Sequence, residues 1–270
     1  MAKHTPVLSN AGIELLHTTT VLDEHGAERE LSVTGEKPLT IYLDKREIVT
    51  LMTIGAHPEL LTLGYLRNQG LVTSVDDILS IQVEWDVEAV AVTTKQSNPD
   101  IDKIISKRTV TSGCGQGTMF GNVLESLNDL SITPPKFSAK SIYSVLDGLA
   151  EHNQMYKQAG AVHGCALCTG SRVDVFIEDV GRHNAVDAIS GWMWLNDVTG
   201  DGKVFYTTGR LTSEMVIKVA QMEVPLLLSR SGVTEMGLSL AEQIGIAMVA
   251  RAKGKHFLVY TGQDYFECEA

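Results

Sequence analysis

From residue 172 to residue 260, strand and helix signals alternate without a break. This alternation constrains the fold more than any other feature of the chain. Residues 172–179 put Val173, Val175 and Ile177 on one face, the period-two pattern of a strand. A helix follows at 184–195, then a strand at 204–207, a helix at 212–222, a strand at 225–229, a helix at 234–244 and a closing strand at 257–260. Strands separated by single helices do not join as tight hairpins. The crossovers lay helices on the faces of a partly parallel sheet. Loops leaving such strands gather at one edge, where ligands bind.

Ahead of this region stands Thr133-Pro134-Pro135-Lys136, whose paired prolines end regular structure on both sides. It divides the chain into 1–132 and 133–270. After it, Ile142, Val145, Leu146 and Leu149 give 138–152 a helical pattern. The first part carries strands at 38–43 and 47–52 around an Asp44-Lys45 turn. Its helix is opened by His57-Pro58-Glu59 and stopped by Asn68-Gln69-Gly70. Strands at 78–83 and 87–94 follow, with a short one over 107–111. Residues 1–30 are polar and weakly patterned and read as an irregular arm. The fold class is α/β, with a smaller N-terminal α+β subdomain ahead of an α/β subdomain.

The 270 residues are 44% hydrophobic and 20% charged, the balance of a soluble globular protein. The longest apolar runs, at 224–228 and 246–250, are far shorter than a membrane span. The first 25 residues lack a basic start followed by an apolar core, so the expected compartment is the cytoplasm. Four unevenly spaced cysteines there mean chemistry, metal or chance rather than a disulfide framework. A net charge of −11 argues against nucleic acid as a partner.

One cysteine lies in Thr111-Ser112-Gly113-Cys114-Gly115-Gln116-Gly117-Thr118. A structural cysteine wants apolar neighbours, and Cys114 has none in sequence. Three glycines leave the backbone free to take φ > 0. A thiol on such an arm suits a group loaded at one place and unloaded at another; the plainer reading is a surface loop with an incidental cysteine.

Three strand-to-helix turns carry an arginine: Gly181-Arg182-His183-Asn184, Gly209-Arg210-Leu211-Thr212 and Ser229-Arg230-Ser231-Gly232. Asn184, Thr212 and Thr234 are the expected N-caps, leaving Arg182, His183 and Arg210 at helix mouths where an anion is welcome. A fourth basic segment, Arg251-Ala252-Lys253-Gly254-Lys255-His256, falls between the 234–244 helix and the last strand. It suits phosphate groups; cations at a helix C-terminus are the other reading for Arg251 and Lys253. Cys165 and Cys168 form a Cys-x-x-Cys after His163, open to three readings: core packing, half a zinc site, or a redox pair.

Taken together these blocks resemble the formate dehydrogenase accessory sulfurtransferase family, FdhD. The blocks are Glu36 to Ile41, Glu59 to Gly70, Thr111 to Gly115, Gly160 to His163, Gly181-Arg182-His183-Asn184-Ala185-Val186-Asp187, Gly209 to Lys218 and Gly245 to Tyr260, in family order. The resemblance implies a cytoplasmic sulfur carrier. It takes persulfide sulfur from a cysteine desulfurase onto Cys114 and passes it to bis-molybdopterin guanine dinucleotide, carrying molybdenum or tungsten, for formate dehydrogenase. It further implies a cytidine-deaminase-like second subdomain, a homodimer, no permanently bound metal and cofactor contacts at Arg251 to His256.

The chain departs from the family pattern in three places. Gly117 stands where a second loop cysteine is common, Ala188 where a lysine is, and Ser231-Gly232-Val233-Thr234 where Ser-Ala-Pro-Thr is. The alternative function is a non-catalytic scaffold or insertion chaperone for the cofactor. A zinc hydrolase would need His-x-Glu and Pro-Cys-x-x-Cys, which 163–168 does not supply.

Overall fold

The computed structural model describes residues 5–99, 101–106, 108–111, 117–120, 127 and 130–268. In the first half run β1 (Val7–Leu8), β2 (Leu16–Leu22), β3 (Glu28–Thr34), β4 (Lys37–Leu43), β5 (Arg46–Thr53), α1 (Pro58–Asn68), β6 (Ile78–Glu84), β7 (Ala89–Thr94), α2 (Ile101–Ser106), β8 (Arg108–Thr111) and β9 (Gly117–Phe120). In the second run β10 (Phe137–Ser138), α3 (Ala139–Leu149), α4 (Gln154–Ala159), β11 (His163–Thr169), β12 (Arg172–Asp179), α5 (Arg182–Asn196), β13 (Lys203–Thr207), α6 (Ser213–Gln221), β14 (Leu226–Ser229), α7 (Glu235–Ile244), β15 (Ala247–Lys253), β16 (His256–Thr261) and β17 (Phe266–Glu267).

Two mixed sheets result, ordered β1-β6-β7-β4-β5 and β12-β11-β13-β14-β15-β16. In the second, β13, β14 and β15 are parallel, while β11 and β16 run against their neighbours. Alternation decides the buried face of the first sheet: Leu39, Ile41 and Leu43 of β4 point inward. Helices α1 and α5 lie between the two sheets, so both are buried nearly all round. They touch backbone to backbone. A Cβ on Gly64 would sit 1.6 Å from the Asp187 carbonyl oxygen, and one on Gly191 2.1 Å from that of Leu60. The opposite face of the second sheet is covered by Ile142, Val145 and Leu149 of α3.

The short strands β10 and β17 pair in parallel, and Phe266 meets Phe137 tilted and Phe257 edge-on around that clasp, with ring centroids 5.5 and 5.9 Å apart. From α3, the Tyr143 hydroxyl donates to the Lys255 carbonyl at 3.0 Å.

Residues 1–30 are not an irregular arm. Among them β1 pairs with β6, and β2 pairs with β3 along a full hairpin. Its threonines and β-branched residues favour strands, but both faces are largely exposed, so no apolar alternation marks it. The strand β11, second from the sheet edge, was not apparent either: it is buried on both faces and built from small residues.

Candidate functional site

The carboxyl ends of β13, β14 and β15 meet the start of β11 and the helix α4 around a cavity of about 530 Å³. Its lining includes Asn153, Tyr156, His163, Thr208, Arg230, Ser231 and Lys253. Short polar bonds hold the rim. Thr208 Oγ1 accepts from the Gly164 amide at 3.1 Å and lies 3.3 Å from His163 Nδ1. Ser229 Oγ donates to the Gly209 carbonyl at 2.6 Å and accepts from the Ser231 amide at 2.9 Å. Arg230 hydrogen-bonds the Tyr206 hydroxyl beneath it. Burial pushes that phenol up to about 12, so it stays neutral. His163 is held below its ordinary value by burial and by Arg182 and Arg210, which keeps it uncharged near neutrality. Arg230 and Lys253 are therefore the cations that line the cavity.

The basic segment Arg251-Ala252-Lys253-Gly254-Lys255-His256 is not a loop after a helix. Helix α7 ends at Ile244 with Gly245 in the left-handed conformation, and β15 intervenes. The six residues form the tip of the β15–β16 hairpin, with Lys253 paired to His256 across Gly254-Lys255. Arg251 takes φ +54° where the pairing register shifts. This removes the helix-dipole reading. Arg251, Lys253, Gly254, Lys255 and His256 are exposed, while Ala252 is packed in the core.

The three turn arginines part company. Arg210 and Arg230 are exposed, whereas Arg182 is only 5% exposed. Helix α5 starts at Arg182 with Gly181 as its cap, so Asn184 is not the N-cap. Asn184 Nδ2 instead donates to Asp179 Oδ1 at 2.8 Å and to the Met52 carbonyl at 2.7 Å, tying the two sheets together. Thr53 Oγ1 donates to the other Asp179 oxygen at 2.5 Å. Burial lifts Asp179 to about 6 against these hydrogen bonds. Thr234 caps α7 through the Gly237 amide, but the Thr212 side chain makes no cap bond on α6.

His183 lies behind the cavity wall, where burial and the charges of Lys218 and Arg182 push it down to about 2. It is neutral, and its 3.4 Å approach to Glu214 is not an ion pair. The buried charge there is the Lys218–Asp187 pair at 2.7 Å, with Asn68 Nδ2 on the second Asp187 oxygen. Cys165 and Cys168 are fully buried in two different core clusters, one on each side of the sheet, and burial raises both thiols to about 12. They pack; they neither share a metal nor form a redox pair. Among the described residues no group of three metal-ligating side chains occurs, and no helix is long and apolar enough to cross a membrane. Cys114 lies outside the described residues. Arg230 was visible as a third copy of the strand–turn–arginine signal; Tyr156 and Thr208 carried no signal of their own.

The FdhD/NarQ family model matches residues 34–267. The sulfur carrier protein FdhD of Wolinella succinogenes is 28% identical over 238 residues, covering 87% of this chain and 82% of that protein. The one from Listeria innocua is 31% identical over 87% and 91%. A crystal structure from Desulfotalea psychrophila, described as a formate dehydrogenase accessory protein, superposes with a TM-score of 0.74. It is 26% identical and is matched over 94% of this chain and 99% of that one. With its mixed sheets and intervening helices, and matched over most of its length, the chain belongs to the FdhD/NarQ family.

Proposed function

We propose that this protein carries sulfur as a persulfide on Cys114 and delivers it to the bis-guanine-dinucleotide pterin cofactor of a formate dehydrogenase. A cysteine desulfurase is the donor: the Cys114 thiolate attacks the outer sulfur of the donor's persulfide and releases the donor thiolate. The pterin is cargo, and its molybdenum or tungsten belongs to it. The observation that carries the reading is the cavity at the carboxyl edge, lined by Arg230 and Lys253 in a chain of net charge −11. Guanidinium and ammonium groups there suit the pyrophosphates of such a cargo. Arg210, Arg251 and Lys255 extend the positive surface, His256 lies beside them at the hairpin tip, and Arg182 and His183 complete the set. A cytidine-deaminase-like second half and a homodimer complete the proposal.

Intact-protein mass spectrometry after incubation with a cysteine desulfurase and cysteine tests it. A reductant-sensitive gain of one sulfur, about 32 Da, on wild type but not on Cys114→Ala is the expected result. Gly117, in place of a second loop cysteine, favours one alternative, a scaffold that holds the cofactor without covalent sulfur transfer. No sulfur gain on either protein, with guanine-nucleotide binding intact, would select that reading.

A further inference from the structure

Besides Arg230 and Lys253, the cavity is lined by a third group able to carry positive charge. His163 opens β11 there, and no carboxylate is among the described residues of the lining. Its neighbours come from three elements. After β13, Thr208 Oγ1 stands 3.3 Å from His163 Nδ1, and Arg210 lies two residues on. From the start of α5 come the neutral His183 and Arg182, whose stem runs against Gly209: a Cβ there would lie 2.5 Å from Arg182 Cδ. On β12, Asp179 pairs with His163 in register, but its carboxyl is taken by Thr53, Asn184 and the Gly181 amide. Tyr156, Arg230 and Lys253 face the same cavity. Burial, Arg182 and Arg210 keep the His163 ring uncharged near neutrality. Two negative charges set among these cations reverse that balance.

Thr208 suits both states of the ring. A hydroxyl has one hydrogen and two lone pairs. The Gly164 amide takes one lone pair of Thr208 Oγ1 at 3.1 Å. The hydrogen serves Nδ1 of the neutral ring, and the second lone pair accepts Nδ1–H of the charged one. A carboxylate in its place would hold the ring charged, and a backbone N–H would hold it neutral. We propose that His163 is a further cargo-binding residue and Thr208 its positioning residue, so that a pyrophosphate diester enters the cavity together with one proton. The proton passes from solvent to the ring, and no other bond is made or broken. The inference rests on the cavity being the cargo site, as proposed above.

Diguanosine pyrophosphate is the probe, because its phosphates are diesters and stay ionised at every pH used. Isothermal titration calorimetry of the whole protein at about pH 6.5, in MES and in bis-Tris, reads the protons taken up from the difference in buffer ionisation heat. Uptake approaching one proton per chain is expected, with affinity that tightens as pH falls, by up to tenfold per pH unit. His163→Gln should bind with no uptake and a flat pH profile. Thr208→Ser should keep the uptake, whereas Thr208→Val should move its window down by about one pH unit, the loss of one hydrogen bond to a charged group. Histidine-ring NMR, assigned with His163→Gln, should show the ring neutral without the probe and protonated with it. Binding without uptake overturns the proposal, as does a ring that stays neutral in the complex. A pH slope that persists in His163→Gln overturns it too and passes the titration to Asp179. If Thr208→Val fails to fold, Thr208→Ser and the ring spectra decide. No binding of the probe by wild type removes the cavity reading and this inference with it; binding without uptake removes only this one, and sulfur gain on Cys114 is read separately.

Discussion

Replacing Gly64 with alanine tests the claim that α1 and α5 meet backbone to backbone. The new Cβ would stand 1.6 Å from the Asp187 carbonyl oxygen and 2.7 Å from the Gly191 amide, whereas ordinary contact begins at 3.4 Å. Neither obstacle is a side-chain end that swings away; both are backbone of a buried helix. The helices must part by about 1.8 Å, which loosens the layer between the sheets. Overpacking of this kind costs about 3 kcal/mol, near the top of the usual range. Alanine's better helix propensity returns about 1 kcal/mol. The net loss of roughly 2 kcal/mol lowers Tm by about 4–8 °C at the 2–4 °C per kcal/mol of a chain this size. Differential scanning calorimetry reads it, with Gly12→Ala as the control because a Cβ there meets nothing within 4 Å. A Tm for Gly64→Ala within about 2 °C of the control would refute the close-contact argument.

Three further outcomes follow from the buried groups. Lys218→Met leaves the Asp187 and Glu214 carboxylates buried without their cation and should cost about 3–5 kcal/mol in urea unfolding. Adding Asp187→Asn should restore part of it, and strictly additive losses would dismiss the coupling. Burial lifts Asp179 to about 6, above the roughly 3.9 of an unfolded aspartate, so the native state holds a proton the unfolded chain gives up. Its contribution is greatest below about pH 4 and is lost as pH rises toward 6, by at most about 3 kcal/mol. The difference in stability between wild type and Asp179→Asn should slope across that window; a flat difference contradicts the assignment. Iodoacetamide at pH 8 should label the exposed Cys268 of the native protein and spare Cys165 and Cys168, and peptide mapping that finds either buried thiol modified would show the sheet core to be open.

Much of the architecture was written locally. Pro58 at the start and Gln69-Gly70 at the end framed α1, and the compact alternation after residue 172 yielded β12 through α7 with shifts of a residue or two. What escaped was decided at a distance. Strand β11 looks like a small-residue filler until the sheet closes on both sides of it. Gly181-Arg182, Gly209-Arg210 and Ser229-Arg230 read alike, yet only Arg182 is buried, because Gly209 lies under its stem. The basic tip was legible as charge but not as a hairpin: the apolar run before it, at 246–250, carries no turn signal to separate it from α7 except Gly245.

The clasp between β10 and β17 bears on how the chain is made. Phe137 and its partner Phe266 are about 130 residues apart. At roughly 5–20 residues per second, a ribosome delivers the second some 6–26 seconds after the first. Until residues 226–229 and 247–253 emerge, well into that wait, the apolar stripe of α3 lacks β14 and β15 to rest on. The strands of the first sheet, by contrast, are all out by residue 94. A nascent chain of this protein therefore shows hydrophobic surface around residues 137–149 while those strands are still being made. That is the segment on which a ribosome-associated holdase would dwell.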